Sequence, residues 1–228
     1  VVEQVELGPR EAGSEANRML VDYIAGELRA AGVEDVSVQG PRRNVVGTIP
    51  GDEEGFVVVG AHHDTKDGIP GFVGANDGAS GVAVVLELAR ALPDRLKGPS
   101  LAIVLFDAEE ARGDRPFTED GTRGSRQYVR YAEDGAEQGS PPIEEIRAMV
   151  LFDLVGDCDL SIPLEDNSDE RLYELFAQAA EDAGVVHPSC LSKDNSSLTE
   201  PENLPDSKTS TSTTHVTEGG ESGSTTHV

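Results

Sequence analysis

Along the chain, segments whose apolar residues recur at helical spacing alternate with short continuous apolar runs. Between Ser14 and Ala31, the residues Met19, Leu20, Ile24 and Leu28 fall close to one helical face, with Ser14 placed to cap the start and Gly32 lying beyond the end. Three β-type runs follow: VSV at 36–38, NVVGTI at 44–49 and GFVVVGA at 55–61. PGDEEG, between the last two, has the composition of a hairpin turn. Residues 78–92, GASGVAVVLELARAL, are apolar on nearly every side, as expected of a helix packed against a sheet. LAIVLFD at 101–107 and AMVLFD at 148–153 are continuous apolar runs of strand length. GTRGSRQYVRYAED between them, and DERLYELFAQAAEDAG at 169–184, read as helices. Strands buried on both faces and alternating with helices predict an α/β sandwich.

The pattern changes at residue 192. From there to the end the apolar residues are Leu198, Leu204, Val216 and Val228, too few to offset the entropy of ordering, and STTHV occurs twice. The expected organisation is one α/β domain over 1–191 and a low-complexity, disordered or aberrant tail over 192–228. A total of 228 residues is enough for one domain with a substantial core.

Charge narrows the partners. There are 43 Asp plus Glu against 18 Lys plus Arg, a net charge of -25, and the only lysines are Lys66, Lys97, Lys193 and Lys208. Nucleic acid and anionic membranes would be repelled by such a surface. An acidic, lysine-poor chain with 4% aromatics suits a salt-rich cytoplasm, where self-repulsion is screened. Cys158 and Cys190 are not in metal-spaced pairs and are expected as unrelated free thiols. No signal peptide or membrane-spanning run is visible, so a cytoplasmic location is the expectation. Nothing in the pattern speaks to oligomeric state.

Ligands of α/β sheets collect at the carboxyl ends of strands. Three such ends carry acids or histidine here: His62, His63 and Asp64; Asp107, Glu109 and Glu110; and Asp153. Asp77 stands just before the helix that begins near Gly78. Carboxylates brought together in a cleft repel one another unless a cation neutralises them. Imidazole and carboxylates without thiolate suit zinc, cobalt or manganese, and one carboxylate between two ions would make a two-metal hydrolytic site.

In order and spacing, GAHHDT, GANDGASGVAVVLELARAL, LFDAEE, GSRQYV and MVLFDLVGD resemble the zinc aminopeptidases of metallopeptidase family M28, whose fold glutaminyl cyclases share. REAGSEANR and NVVGTIPG are similar to the family's N-terminal segment. The resemblance implies a three-layer α/β sandwich with a mixed, mostly parallel central sheet flanked by helices. It implies two zinc ions, with His62, Asp77 and Asp153 on one, Asp77 bridging, and Glu110 on the other. Glu109 would be the general base, Asp64 the acid that orients His62, and His63 a variable position. The implied substrate is a peptide with a free N-terminus, cleaved at its first residue.

The family's last zinc ligand is a C-terminal histidine, and here the motif around it is absent. His215 is the nearest candidate, ahead of His227 and His187. Read one base out of frame, TSTSTT can become DLDFDY, similar to the family's strand before that histidine, so a frame-shifted tail and a single-zinc site are also expectations. Two alternative functions follow: a glutaminyl cyclase-like, single-zinc acyltransferase, towards which FVGAND and FDLVGD lean, and an inactive truncated family member. Against the cyclase stand GASG after Asp77 and the lack of any Trp, since the cyclases' pocket resembles a tryptophan-lined slot.

Overall fold

The computed structural model describes residues 1–183, apart from 136, 158, 159, 161, 163 and 165, and the backbone of one further strand at 213–218. In chain order the elements are α1 (Val2–Glu6), α2 (Glu15–Ala30), β1 (Glu34–Gln39), β2 (Asn44–Ile49), β3 (Gly51–His62), α3 (Ala79–Ala91), β4 (Leu96–Phe106), α4 (Phe117–Asp120), α5 (Arg123–Glu133), β5 (Ile146–Asp153), α6 (Glu170–Asp182) and β6 (Thr213–Glu218). Ser14 caps α2 as expected, its hydroxyl accepting from the Asn17 N–H at 3.0 Å. Asp169 does the same for α6, accepting from the N–H groups of Arg171 and Leu172.

The strands form one sheet in the order β1-β2-β4-β3-β5-β6. β3 lies at its centre, parallel to both β4 and β5, and antiparallel pairs complete the two sides. This mixed sheet, with helices against it, is the predicted architecture, except that three of its five strand pairings are antiparallel where a mostly parallel sheet was expected. On one face α2 and α3 bury Leu20, Ile24, Leu28, Val82 and Val85 against Val45, Val59, Ile103 and Leu105. On the other, Tyr128 of α5 packs on Val46, Val58, Val104 and Phe106, its ring edge-on to Phe106 at 5.7 Å. No described helix is long and apolar enough to cross a membrane.

Two sequence expectations need correction. PGDEEG is not a hairpin turn, because β2 pairs with β4 and never with β3. Pro50 turns the chain, and residues 51–55 open β3 against the first residues of β4, where the Leu96 N–H donates to the Pro50 carbonyl at 2.8 Å. Both strands therefore begin earlier than their apolar runs, since backbone pairing does not require apolar side chains at a sheet's end. Met19 is 53% exposed and lies off the buried face of α2, whose polar member is instead the fully buried Asn17. Within 192–228, β6 pairs along β5, and the rest of that segment, with His227, lies outside the described residues, as do Cys158, His187 and Cys190.

Leu105→Ala, at a fully buried site in the larger cluster, should lower the free energy of unfolding by about 2–5 kcal/mol. Met19→Ala should change it by less than about 0.5 kcal/mol. Urea denaturation of the two variants beside the parent checks both.

Candidate functional site

Parallel pairing sets the strand ends level. His62 is the last residue of β3 and pairs with Phe106, the last of β4. Two residues beyond the final β3–β5 pair, Gly60 with Leu151, come His62 and Asp153. Asp77 arrives from the loop before α3 because two glycines permit the approach. Gly78 has φ 87°, and a Cβ there would meet the Asp64 carbonyl at 2.8 Å and His62 Cε1 at 3.3 Å. In Gly81 a Cβ would stand 2.2 Å from the Phe152 carbonyl, so α3 can lie directly on the end of β5. The loop beyond β5 is tied to the same place, with the Gly156 N–H donating to Asn76 Oδ1 at 2.7 Å and the Val155 N–H to Ser80 Oγ at 3.1 Å.

His62 Nε2 consequently lies 3.0 Å from Asp77 Oδ1 and 3.3 Å from Asp153 Oδ1. His62 is 3% exposed, while the two carboxylates, at 30% and 24%, open towards solvent. One ligand atom from each of the three lies within 4.8 Å of the others, so the trio could hold a metal ion. Ligand bonds of 2.0–2.2 Å to tetrahedral zinc put neighbouring donor atoms about 3.4 Å apart, and the observed separations suit that ion. Glu110 is not a member of this trio.

Asp64, fully buried, stands on the other side of the imidazole, its Oδ1 3.5 Å from His62 Nδ1. Its two oxygens also accept the backbone N–H groups of Glu109, at 3.0 Å, and Glu110, at 3.2 Å. Burial alone would raise its pKa; His62, together with the Glu109 N–H, outweighs burial and holds it below the ordinary value. For His62, burial works against the charged form, but Asp153, Asp64 and Asp77 together hold its pKa well above the ordinary value. Glu109 is pushed up to about 7, first by burial and then by the neighbouring acids Asp64, Asp153 and Asp77. Glu110 is raised likewise, by burial, then Asp77 and Glu109. A carboxyl poised near neutrality beside a cation-ready trio is suited to accepting and returning a proton.

The structure thus brings together His62, Asp64, Asp77 and Asp153 and puts Glu109 and Glu110 in their electrostatic reach. His215 is placed by backbone only: in β6 it is paired with Leu151, two residues before Asp153. His63, expected to be incidental, points away from solvent, its Nδ1 3.4 Å from Asn17 Nδ2. That amide also donates to Asp107 Oδ1 at 2.9 Å. Sequence reasoning missed Asn17, although a polar residue in phase with Leu20, Val21, Ile24 and Leu28 was the available signal. It also missed Arg10, fully buried, whose guanidinium donates to the carbonyls of Val73 at 2.6 Å and Gly74 at 3.0 Å and so fixes the loop that delivers Asp77.

Residues 44–200 match the profile of Peptidase family M28. A glutaminyl-peptide cyclotransferase of Drosophila melanogaster is 30% identical over 166 residues, covering 65% of this chain and 45% of its own length. A probable leucine aminopeptidase of Arthroderma otae is 30% identical over 163 residues, covering 65% and 40%. Among solved structures, a Zn-dependent exopeptidase from Parabacteroides distasonis superposes with a TM-score of 0.61 at 28% identity, over 80% of this chain and 70% of that one. Glutaminyl cyclases and a leucine aminopeptidase precursor also occur among the structures it resembles. The chain spans less than half the length of the curated relatives it matches.

Between the ordinary 4.5 and the elevated value of about 7, folded protein without metal keeps a proton on Glu109 that the unfolded chain has released. Folding therefore loses stability from this group as pH rises through that window. Glu109→Gln removes the effect. Denaturant titrations in chelator should find the variant gaining on the parent by up to about 3 kcal/mol between pH 4.5 and pH 7. A difference independent of pH would refute burial as the cause.

Proposed function

The chain belongs to peptidase family M28, and from that premise we propose that it is a zinc-dependent aminopeptidase that removes N-terminal residues from peptides. The observation that carries this reading is the spacing of His62 Nε2 from Asp77 and Asp153, 3.0 and 3.3 Å, with Glu109 within electrostatic reach of the trio. His62, Asp77 and Asp153 would hold one zinc; Asp77 would be shared with a second, completed by Glu110 and by His215. Zinc in such a site supplies Lewis acidity, polarising the scissile carbonyl and making a water more acidic.

The protein's own groups do the rest. Glu109 takes the proton of the attacking water and returns it to the departing amine, so it must be a base on arrival and an acid on release. Asp64 orients His62 from behind, a role common to carboxylates beside metal-bound histidines.

A second reading is a glutaminyl cyclase-like acyltransferase with a single zinc. It is favoured by the relatives that bear the cyclase name and disfavoured by the lack of Trp.

The test combines metal content with turnover. Two zinc ions per chain and hydrolysis of amino-acid p-nitroanilides are expected, and Glu109→Gln should keep the zinc while kcat/KM falls by roughly 10²–10⁴-fold. One zinc with cyclisation of N-terminal glutaminyl peptides, and no anilide hydrolysis, would replace the first reading by the second. Undiminished hydrolysis in Glu109→Gln would overturn the assignment of the base.

A further inference from the structure

Residues 111–121 leave the site directly after Glu110 and return to it. At their base the Thr122 N–H donates to the Glu109 carbonyl at 2.7 Å and the Arg123 N–H to the Ala108 carbonyl at 2.9 Å. This zips the two ends of the loop together at the first glutamate. Gly124 allows the start of α5 to approach, since a Cβ there would lie 2.0 Å from the Asp107 carbonyl. Ala108 and Thr122 both hold φ near 55°, a left-handed conformation that non-glycine residues adopt only when their surroundings enforce it. Something must therefore hold this loop closed.

The holder is the Asp120 carboxylate, whose side chain is 8% exposed. It accepts three bonds from Arg112 alone: the backbone N–H at 2.8 Å, Nε at 3.0 Å and Nη2 at 2.6 Å. Arg123 Nη1 joins at 2.7 Å and also donates to the Asp120 carbonyl; Arg115 Nη1 joins at 3.1 Å. Arg112, then Arg115 and Arg123, hold this carboxyl far below the usual range. Three of the chain's few cations are thus gathered on one anion, in a protein of net charge -25. The opposite flank is stitched by Lys66, which donates to the carbonyls of Ala111 and Gly113, and by Asp67, which accepts the Gly113 N–H at 2.6 Å.

We propose that Asp120 is a positioning residue for Glu109 and Glu110: by binding Arg112, Arg115 and Arg123 it keeps the loop closed and holds the two glutamates against Asp64. Without that anchor the strain at Ala108 and Thr122 relaxes, and the N–H groups of Glu109 and Glu110 leave the Asp64 carboxylate. The proposal bears on activity through the roles given above to the two glutamates, but its structural content stands apart from them.

Asp120→Asn tests it by hydrogen exchange and kinetics together. Amide exchange in residues 108–113 is expected to accelerate by at least roughly tenfold, with β4 and α3 unchanged. On an anilide substrate at saturating zinc, kcat should fall by roughly 10- to 100-fold with KM within about threefold. Arg112→Met, which removes the two-pronged contact from a half-exposed side chain and so spares folding, should give the same local exchange signature. Unchanged exchange in 108–113, or acceleration spread evenly over β4 and α3, overturns the proposal. A parent protein without turnover would instead overturn the proposed function, and the exchange measurement would still decide the role of Asp120.

Discussion

Asp64 carries a charge where water does not reach, and the rest of the site is arranged around satisfying it. A carboxylate buried without partners would take up a proton, because the desolvation of its charge is not recovered. Here one oxygen faces His62, and both accept backbone N–H groups from Glu109 and Glu110. These partners come from the end of β3 and from the residues just beyond β4, so a single anion couples two neighbouring strand ends. The coupling has a direction. It fixes the imidazole so that Nε2 faces Asp77 and Asp153, and it fixes the chain that carries the two glutamates.

What lets the remaining groups converge is the removal of bulk. Gly78 and Gly81 bring α3 within contact of His62 and of the Phe152 carbonyl, and Gly124 brings the start of α5 onto the carbonyl after β4. In each case a Cβ would sit at 2.0–2.8 Å from backbone oxygen, a distance no relaxation of a flexible side chain could relieve. The close approaches are stabilised by the core on either face of the sheet, where α2 and α3 cover one side and α5 the other. Arg10 and Asn17 extend the same logic to the N-terminal segment. Buried polar groups must be paired, and their partners lie in the loop before Asp77 and in Asp107, behind the strand ends.

The sheet was legible because its strands are buried on both faces, which leaves continuous apolar runs, and the strand ends were legible because acids and histidine interrupt those runs abruptly. His62, Asp77 and Asp153 could be singled out for that reason, and they meet. The start of β3 was not legible: GDEEG has turn composition, and its strand conformation comes from pairing with β4, a long-range contact that local composition does not encode. Met19 was misplaced because helical phase was judged from apolar residues alone, whereas the buried stripe of α2 includes Asn17. The clasp around Asp120 left no periodic signature, since its arginines are spaced by loop geometry.

The charge of the chain and the charge of the site answer different constraints. Most of the acidic residues face water, where the interaction between separated charges is weak and screened by salt. At the strand ends the carboxylates are close and partly dehydrated, so each raises the cost of ionising the next; this is visible in Glu109 and Glu110, both pushed upward by burial and by their acidic neighbours. Such a cluster has two ways to lower its energy: to keep protons, or to accept a cation. The protonated arrangement weakens the grip on any metal, while the metal-bound one releases protons into the pH range where Glu109 titrates. Protonation of these carboxyls and binding of a cation therefore oppose one another.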